Sequence, residues 1–181
     1  MTSSAKSKTL IRSIRLTKEI DDILQKDAKA KRISLNALIG SIMTKYVEMD
    51  RYNERYDTIT LKQESFSSIL QVVEDEKLTH VAKEIGSLIP KQFLLFWFKK
   101  SDLETYLRYL SLVCGYNGFA KYEIGIDDSR RNYTITLIHN MGEKWSNFLK
   151  NWLEQGMKVT AGIIPMIDTT KNTVVARFHA P

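Results

Sequence analysis

The chain has 181 residues, of which 43% are hydrophobic and 27% charged, with 8 glycines and 3 prolines. This composition supports a hydrophobic core and excludes a disordered or collagen-like chain. The single cysteine, Cys114, excludes an intramolecular disulfide and a metal site built from several thiolates. The N-terminus lacks the apolar core of a signal peptide, and the longest purely apolar run, residues 93–98, is too short to cross a bilayer. We therefore expect a globular cytoplasmic protein that does not enter a membrane.

Positive charge is concentrated at the N-terminus. The whole chain has 27 basic and 21 acidic residues and a net charge of +6. The first 18 residues contain five basic residues and no acidic one, namely Lys6, Lys8, Arg12, Arg15 and Lys18. Such a segment attracts polyanions, although basic tails also serve only to keep proteins soluble. The charge alone leaves nucleic-acid binding open, and the elements that follow must decide it.

Residues 10–16 have the alternation of a short, half-buried strand. One side of the predicted strand is apolar, apart from Arg12, and consists of Leu10, Ile14 and Leu16. The other side consists of Ile11, Ser13 and Arg15.

Two amphipathic helices are predicted after this strand. Thr17 is a favourable N-cap, and the acidic residues in the next turn complement the helix dipole. The first helix is expected to end near Arg32, and Ser34 is a second N-cap. The apolar stripe of the first helix contains Ile20, Ile23, Leu24 and Ala28, and that of the second contains Leu35, Leu38, Ile39, Ile42, Met43 and Tyr46.

This unit of about 40 residues is too small to bury its own apolar faces. Its single strand also has no partner for its backbone amides and carbonyls within the unit. A second copy would supply both, as a two-stranded antiparallel ribbon packed on four helices. We therefore expect a homodimer, with a tetramer of two dimers left open.

Residues 8–48 resemble the ribbon-helix-helix DNA-binding proteins of the Arc, MetJ and CopG type. The similarity rests on residues 13–17 for the ribbon and the first cap, on the spacing of Ile20, Ile23 and Leu24, and on residues 34–39 at the start of the second helix. In one departure, Arg32 occupies the inter-helix position where the family usually has glycine. A left-handed conformation at Arg32 would cost about 1 kcal/mol.

The resemblance implies a mode of DNA binding. The ribbon of this family enters the major groove of double-stranded DNA, where its outward side chains read the bases, and the start of the second helix offers amides to a phosphate. On this basis the base-reading residues are Ile11, Ser13 and Arg15. The corresponding phosphate-binding residues are Lys6, Lys8, Arg12, Ser34, Leu35 and Asn36.

A second domain is predicted over residues 57–181, after a polar linker at residues 49–56. Its mixed order of elements indicates an α+β domain with an antiparallel sheet, which would serve oligomerisation or sensing. Strands are predicted over residues 57–62, 93–99, 119–127, 133–139, 159–166 and 173–178, and helices over residues 65–73, 77–88, 102–114 and 143–155.

The second domain has no recognisable catalytic motif. Its three histidines lack partners at metal-ligand spacing, and the chain has no glycine-rich phosphate loop and no nucleophile elbow. Cys114 lies among apolar residues and is expected in the core. We therefore expect no catalytic residue, no metal and no cofactor.

One patch, residues 139–146, allows two interpretations. Its polar groups, its aromatic ring and the amides of a helix start could form a pocket for a small ligand or an anion, with His139, Asn140 and Trp145 as its residues. Alternatively, Trp145 belongs to the core and His139 hydrogen-bonds the turn. No particular small-molecule effector is indicated.

Taken together, the patterns predict a transcription regulator that binds operator DNA as a dimer. The alternative is a protein-interaction module, similar to an antitoxin, in which the same dimer serves assembly without regulatory DNA binding. A third class, an enzyme in the second domain, has no motif in its favour.

Overall fold

The computed structural model describes residues 10–129 and 131–180, and the chain divides into two compact units, Met1–Tyr46 and Val47–Pro181. A π-helical segment, Tyr46–Asp50, spans the boundary and continues into α3, Arg51–Arg55. The linker expected over residues 49–56 is therefore mostly helical. Met49 and Tyr52 are buried in the core of the second unit, which explains why these residues fold with it.

The first unit contains two helices, α1 (Lys18–Ala30) and α2 (Leu35–Lys45). Both predicted N-caps are confirmed. The Thr17 hydroxyl accepts a hydrogen bond from the amide of Ile20 at 3.4 Å, and the Ser34 hydroxyl accepts one from the amide of Ala37 at 3.1 Å. These bonds satisfy amides that the first turn of a helix leaves without a carbonyl partner.

The strand predicted over residues 10–16 is not present in the single chain. Residues 10–17 have no regular secondary structure, and the first regular element of the described chain is α1. An N-terminal ribbon is therefore not observed. The physical reason is that a strand requires a second strand to pair its backbone groups, and all the strand pairs of the described chain lie in the second unit.

The second unit is an α+β domain with an antiparallel sheet, as predicted. Beyond α3, its helices are α4 (Gln63–Val72), α5 (Asp75–Trp97), α6 (Leu103–Asn117) and α7 (Glu143–Ala161). Its strands are β1 (Lys121–Ile126), β2 (Asn132–Ile138), β3 (Met166–Thr169) and β4 (Thr173–His179).

The four strands lie in the order β1-β2-β4-β3, and every neighbouring pair is antiparallel. Ile135 of β2 stands opposite Ile124 of β1 and Ala176 of β4, which sets the register. Alternate residues of the two central strands are buried, as expected for a sheet with one face on the core. The other face carries polar residues such as Thr134 and Arg177, which are directly opposite each other.

Three predicted strands differ from the structure. Residues 57–62 contain no strand, and the strand predicted over residues 93–99 is instead the end of the 23-residue helix α5. Pro90 lies inside that helix, although proline usually ends one. Helix α7 continues to Ala161, so β3 begins only at Met166.

Helices α5 and α7 approach each other closely at Gly86. A β-carbon at this position would stand 2.6 Å from the carbonyl oxygen of Trp152, which is too short for a real contact. Glycine is therefore required here because the backbone of α7 occupies the space of a side chain. The close approach places the aromatic residues of both helices in one core.

Within residues 10–129 and 131–180, no helix combines the length and apolarity that crossing a membrane requires. The same residues contain no group of three or more histidine, cysteine or acidic side chains arranged to hold a metal ion.

Candidate functional site

The predicted base-reading residues lie on one exposed segment. Ile11, Ser13 and Arg15 are all exposed, and 90% of the Ile11 side chain is accessible to solvent. The Arg12 guanidinium donates a hydrogen bond to the carbonyl of Ile11 at 3.3 Å. Two of the predicted phosphate contacts, Lys6 and Lys8, lie outside the described residues.

The start of α2 offers free backbone amides. The Ser34 hydroxyl and carbonyl accept hydrogen bonds from the amides of Ala37 and Leu38. The amides of Leu35 and Asn36 have no partner within the described part of the chain. Amides at a helix N-terminus can bind a phosphate, so these two residues have the geometry that their predicted role requires.

The turn between α1 and α2 is tightly hydrogen-bonded. The amide of Ile33 bonds to the carbonyl of Ala28 at 3.0 Å, and the amide of Arg32 to the carbonyl of Lys29 at 3.1 Å. These two bonds form a Schellman motif, which requires a left-handed residue at its centre. Arg32 has a φ of 55° and is this left-handed residue, in the position where glycine would carry no steric cost.

The first unit leaves most of its large apolar side chains accessible. In its described part only Ala28 and Leu38 are buried. More than half of the Ile14 and Ile23 side chains is exposed. We call the exposed apolar side chains of this unit other than Ile11, which belongs to the predicted base-reading side, the open apolar face. Its members are Leu10, Ile14, Leu16, Ile20, Ile23, Ile33, Ile42, Met43 and Tyr46.

The residues of the predicted ligand patch in the second unit bond mainly to the protein itself. The Nδ1 atom of His139 accepts a hydrogen bond from the amide of Met141 at 3.2 Å. Its Nε2 atom therefore carries the proton and donates to the Ser146 hydroxyl at 2.9 Å, which in turn donates to the carbonyl of Lys171 at 3.2 Å. Burial lowers the pKa of His139, so the neutral ring is favoured.

The other two residues of the patch are also engaged. The indole nitrogen of Trp145 donates to the carbonyl of Phe119 at 3.1 Å, and the Asn140 side chain accepts a hydrogen bond from Gln63. The amide of Gly142, just before α7, bonds to the side chain of Asn172 at 3.1 Å. This geometry favours the structural interpretation of the patch over a pocket made by the three predicted residues.

A cavity of about 210 Å³ lies beside the patch and includes Trp145 but neither His139 nor Asn140. We call it the aromatic cavity, and its walls come from α3, α5, α6 and α7. Its lining residues are Met49, Tyr52, Asn53, Thr58, Ile85, Ile89, Phe93, Tyr109, Val113, Asn117, Phe119, Trp145, Phe148, Leu149 and Trp152. The sequence does not reveal this cavity because these residues are distant along the chain and none belongs to a motif.

Cys114 is buried, as its apolar neighbours predicted. Burial raises the pKa of its thiol to about 12. The reactive form of cysteine is the thiolate, so Cys114 is protonated and unreactive in the folded chain near neutral pH.

The comparison with known proteins gives no family for this chain. No protein-family model matches it, and no curated protein sequence is significantly similar to it. The functional proposal therefore rests on the residues and their geometry.

Proposed function

We propose that this protein binds double-stranded DNA as a homodimer and regulates transcription. In this proposal residues 8–48 form a ribbon-helix-helix unit, and residues 10–16 of two chains pair as an antiparallel ribbon in the major groove. Ile11, Ser13 and Arg15 then face the bases, and the start of α2 binds a phosphate.

The observation that carries the proposal is the open apolar face together with the unpaired segment beside it. A folded unit with only two buried residues in its described part has too little core to be stable alone. A second copy would cover the apolar side chains and provide backbone partners for residues 10–16. Both needs are met by the same two-fold arrangement, which the spacing of these residues predicts.

The helical part of the unit is compatible with a role in DNA binding. The caps and the Schellman turn hold α1 and α2 in a defined geometry, with Leu35 and Asn36 presenting free amides. Arg12, Arg15 and Lys18 are exposed and add positive charge near the proposed ribbon. Charge of this kind supplies affinity for any DNA sequence, whereas recognition of a particular site requires base contacts.

The proposal is tested by comparing two neighbouring arginines on opposite sides of the proposed ribbon. Arg15 has the length and the two donors to pair with guanine, so Arg15→Ala should cost about 1–3 kcal/mol per contact on the preferred site and much less on unrelated DNA. Arg12→Ala is the matched control, because it removes an equal charge and should weaken both complexes equally. The measurement is fluorescence anisotropy of the full chain at two salt concentrations, with sites obtained by in vitro selection.

Two results would contradict the proposal. Equal losses on both kinds of DNA after Arg15→Ala would show that Arg15 does not read bases. An absence of DNA binding by the wild-type chain at low salt would favour the alternative, an assembly module of the antitoxin-like kind.

A further inference from the structure

The aromatic cavity lies wholly within the second unit and has the character of a small-molecule site. Its walls are mainly aromatic and aliphatic, with Asn53, Thr58 and Asn117 as polar additions, and none of its lining side chains carries a charge. A ligand with a net charge would find no counter-ion there, which makes its burial unfavourable. An apolar cavity of about 150 Å³ can accommodate one benzene ring, so about 210 Å³ is sufficient for a substituted or fused ring.

Two tyrosines that line this cavity have hydroxyls without a hydrogen-bond partner among the described residues. Tyr52 and Tyr109 are 6% and 2% exposed, and neither hydroxyl has a hydrogen bond to any described residue. The contrast with Tyr106 and Tyr116 is informative, because those hydroxyls donate to the carbonyl of Leu153 and to a carboxylate. A buried polar group without a partner is costly, and such groups in native proteins are usually satisfied by water or a ligand.

Both free hydroxyls open onto accessible space. The indole nitrogen of Trp97 is inaccessible to solvent and has no hydrogen-bond partner. Within residues 10–129 and 131–180, it is the one side-chain polar atom of which both statements hold. The oxygens of Tyr52 and Tyr109 are therefore not sealed, and the aromatic cavity is the space that both residues line. The ring of Phe93 packs against both tyrosine rings, with centroid distances of 4.6 and 5.0 Å, so the two belong to one wall.

We infer that the aromatic cavity binds an uncharged aromatic molecule of one or two rings that carries a single hydrogen-bonding group. The rings of Phe93, Trp145 and Trp152 enclose the aromatic part of the ligand. The hydroxyls of Tyr52 and Tyr109 bond to its polar group, and each can act as donor or acceptor. Burial raises the pKa of both tyrosines, so both hydroxyls stay protonated at neutral pH. This inference does not depend on the proposed DNA binding.

The test is isothermal titration of the full chain with three probes: phenol, toluene and benzoate. Phenol has the inferred chemistry, toluene has the same size without a hydroxyl, and benzoate adds a negative charge. Wild-type protein should bind phenol and toluene at millimolar concentration or below, and benzoate at least about tenfold more weakly than phenol. Binding of neither phenol nor toluene, or equal binding of benzoate and phenol, would overturn the inference.

A double variant, Tyr52→Phe with Tyr109→Phe, isolates the hydrogen bonds. It removes two hydroxyls that the protein does not otherwise use, so the fold should persist. Phenol affinity should fall about fivefold to tenfold, while toluene affinity should stay the same or rise. An equal change for the two probes would show that the hydroxyls do not recognise the ligand.

A blocking variant locates the site. Ile89 is part of the cavity lining and 40% exposed, so Ile89→Trp should fill the opening without disturbing the core and should abolish binding of both probes. Leu88→Trp is the matched control, because Leu88 is exposed on the same helix and does not line the cavity. Unchanged binding after Ile89→Trp, or equal losses in the two variants, would place the probes elsewhere.

Discussion

The two units of this protein differ in the size of the hydrophobic core that each unit forms from its own residues. The described part of the first unit buries two residues, Ala28 and Leu38, and exposes most of its large apolar side chains. The second unit has a core of buried aromatic and aliphatic residues, which come from its helices and from its sheet. A unit of the first kind has too small a core to be stable alone, whereas the second has a core of the size that an independent domain requires.

Backbone pairing shows the same difference. Each strand of the second unit has a neighbour within the chain, in the order β1-β2-β4-β3. Residues 10–16 have the alternation of a strand but no neighbour to pair with. In the proposed dimer, pairing between chains would supply the backbone partners that residues 10–16 lack in the single chain.

The largest effect is expected from a charge placed on the open apolar face. Ile14→Asp would bury a carboxylate without a partner in the proposed dimer, at a cost of about 3–5 kcal/mol. We expect the full chain to sediment as a monomer and to lose the part of its thermal unfolding that depends on protein concentration. The second unit should retain its own transition, since Ile14 is not part of its core.

Ser13→Asp is the matched control for this change, because it adds the same charge to the opposite side of the predicted strand. This variant should remain dimeric and bind DNA more weakly. Loss of the dimer in both variants, or in neither, would contradict the proposed pairing.

The next effect concerns the second unit alone. Gly86→Ala places a methyl group against the backbone of α7 and should lower the free energy of unfolding by about 1–3 kcal/mol, independently of protein concentration. Gly115→Ala is the control, because no atom lies within 4 Å of a β-carbon at this helical position. That variant should gain about 0.5–1 kcal/mol. Urea denaturation followed by circular dichroism distinguishes the two signs.

A smaller effect is expected at the turn of the first unit. Arg32→Gly relieves a left-handed conformation that disfavours side chains, and should stabilise the dimer by up to about 1 kcal/mol. Lys31→Gly tests the neighbouring right-handed residue and should instead cost about 0.5–1 kcal/mol. A melting temperature that falls in both variants would contradict the Schellman geometry.

The smallest expected effect is the contribution of His139 to the pH dependence of the stability of the second unit. Its pKa in the folded chain is lower than the ordinary value, so the unfolded chain binds more protons as the pH falls through that ordinary value. The free energy of unfolding should therefore decrease from about pH 7.5 downwards until the folded-state pKa is passed. His139→Gln removes this contribution, and parallel stability curves for the variant and the wild type over this range would show that the ring is not held neutral.

Local signals in the sequence predicted much of the secondary structure. Thr17 and Ser34 cap α1 and α2 as expected, and Gly118 ends α6 in a left-handed conformation. The hairpin of β1 and β2 was also predicted and is confirmed. The predicted second hairpin is present as β3 and β4, but its first strand begins at Met166 rather than at residue 159. These features depend on one or two residues whose backbone preferences are strong, which is why they can be recognised without knowledge of the tertiary fold.

Segments without such local signals were predicted less well. The run at residues 93–98 is apolar on every side, and periodicity cannot distinguish a buried strand from the buried end of a helix. In the structure this run continues α5, which includes Pro90 and ends at Trp97. Residues 57–62 alternate like a strand but pair with none of the four strands of the sheet. The helical segment at residues 49–56 is recognisable only from the burial of Met49 and Tyr52.

The candidate sites show the same limit. Trp145 was predicted as a pocket residue and lines the aromatic cavity, but His139 and Asn140 do not. The two tyrosines that characterise the cavity, Tyr52 and Tyr109, are 57 positions apart and come together only through the packing of α3, α5 and α6. A pattern of neighbouring residues in the sequence cannot indicate that two such distant tyrosines line the same cavity.

The buried thiol of Cys114 gives the native chain an internal reporter of conformational opening. Alkylating reagents attack only an accessible thiolate, and in the folded second unit Cys114 is neither accessible nor ionised. Labelling must therefore proceed through transient opening, and its rate measures how often the core around α6 is exposed. Because the chain has a single cysteine, mass spectrometry can time this opening without an introduced label.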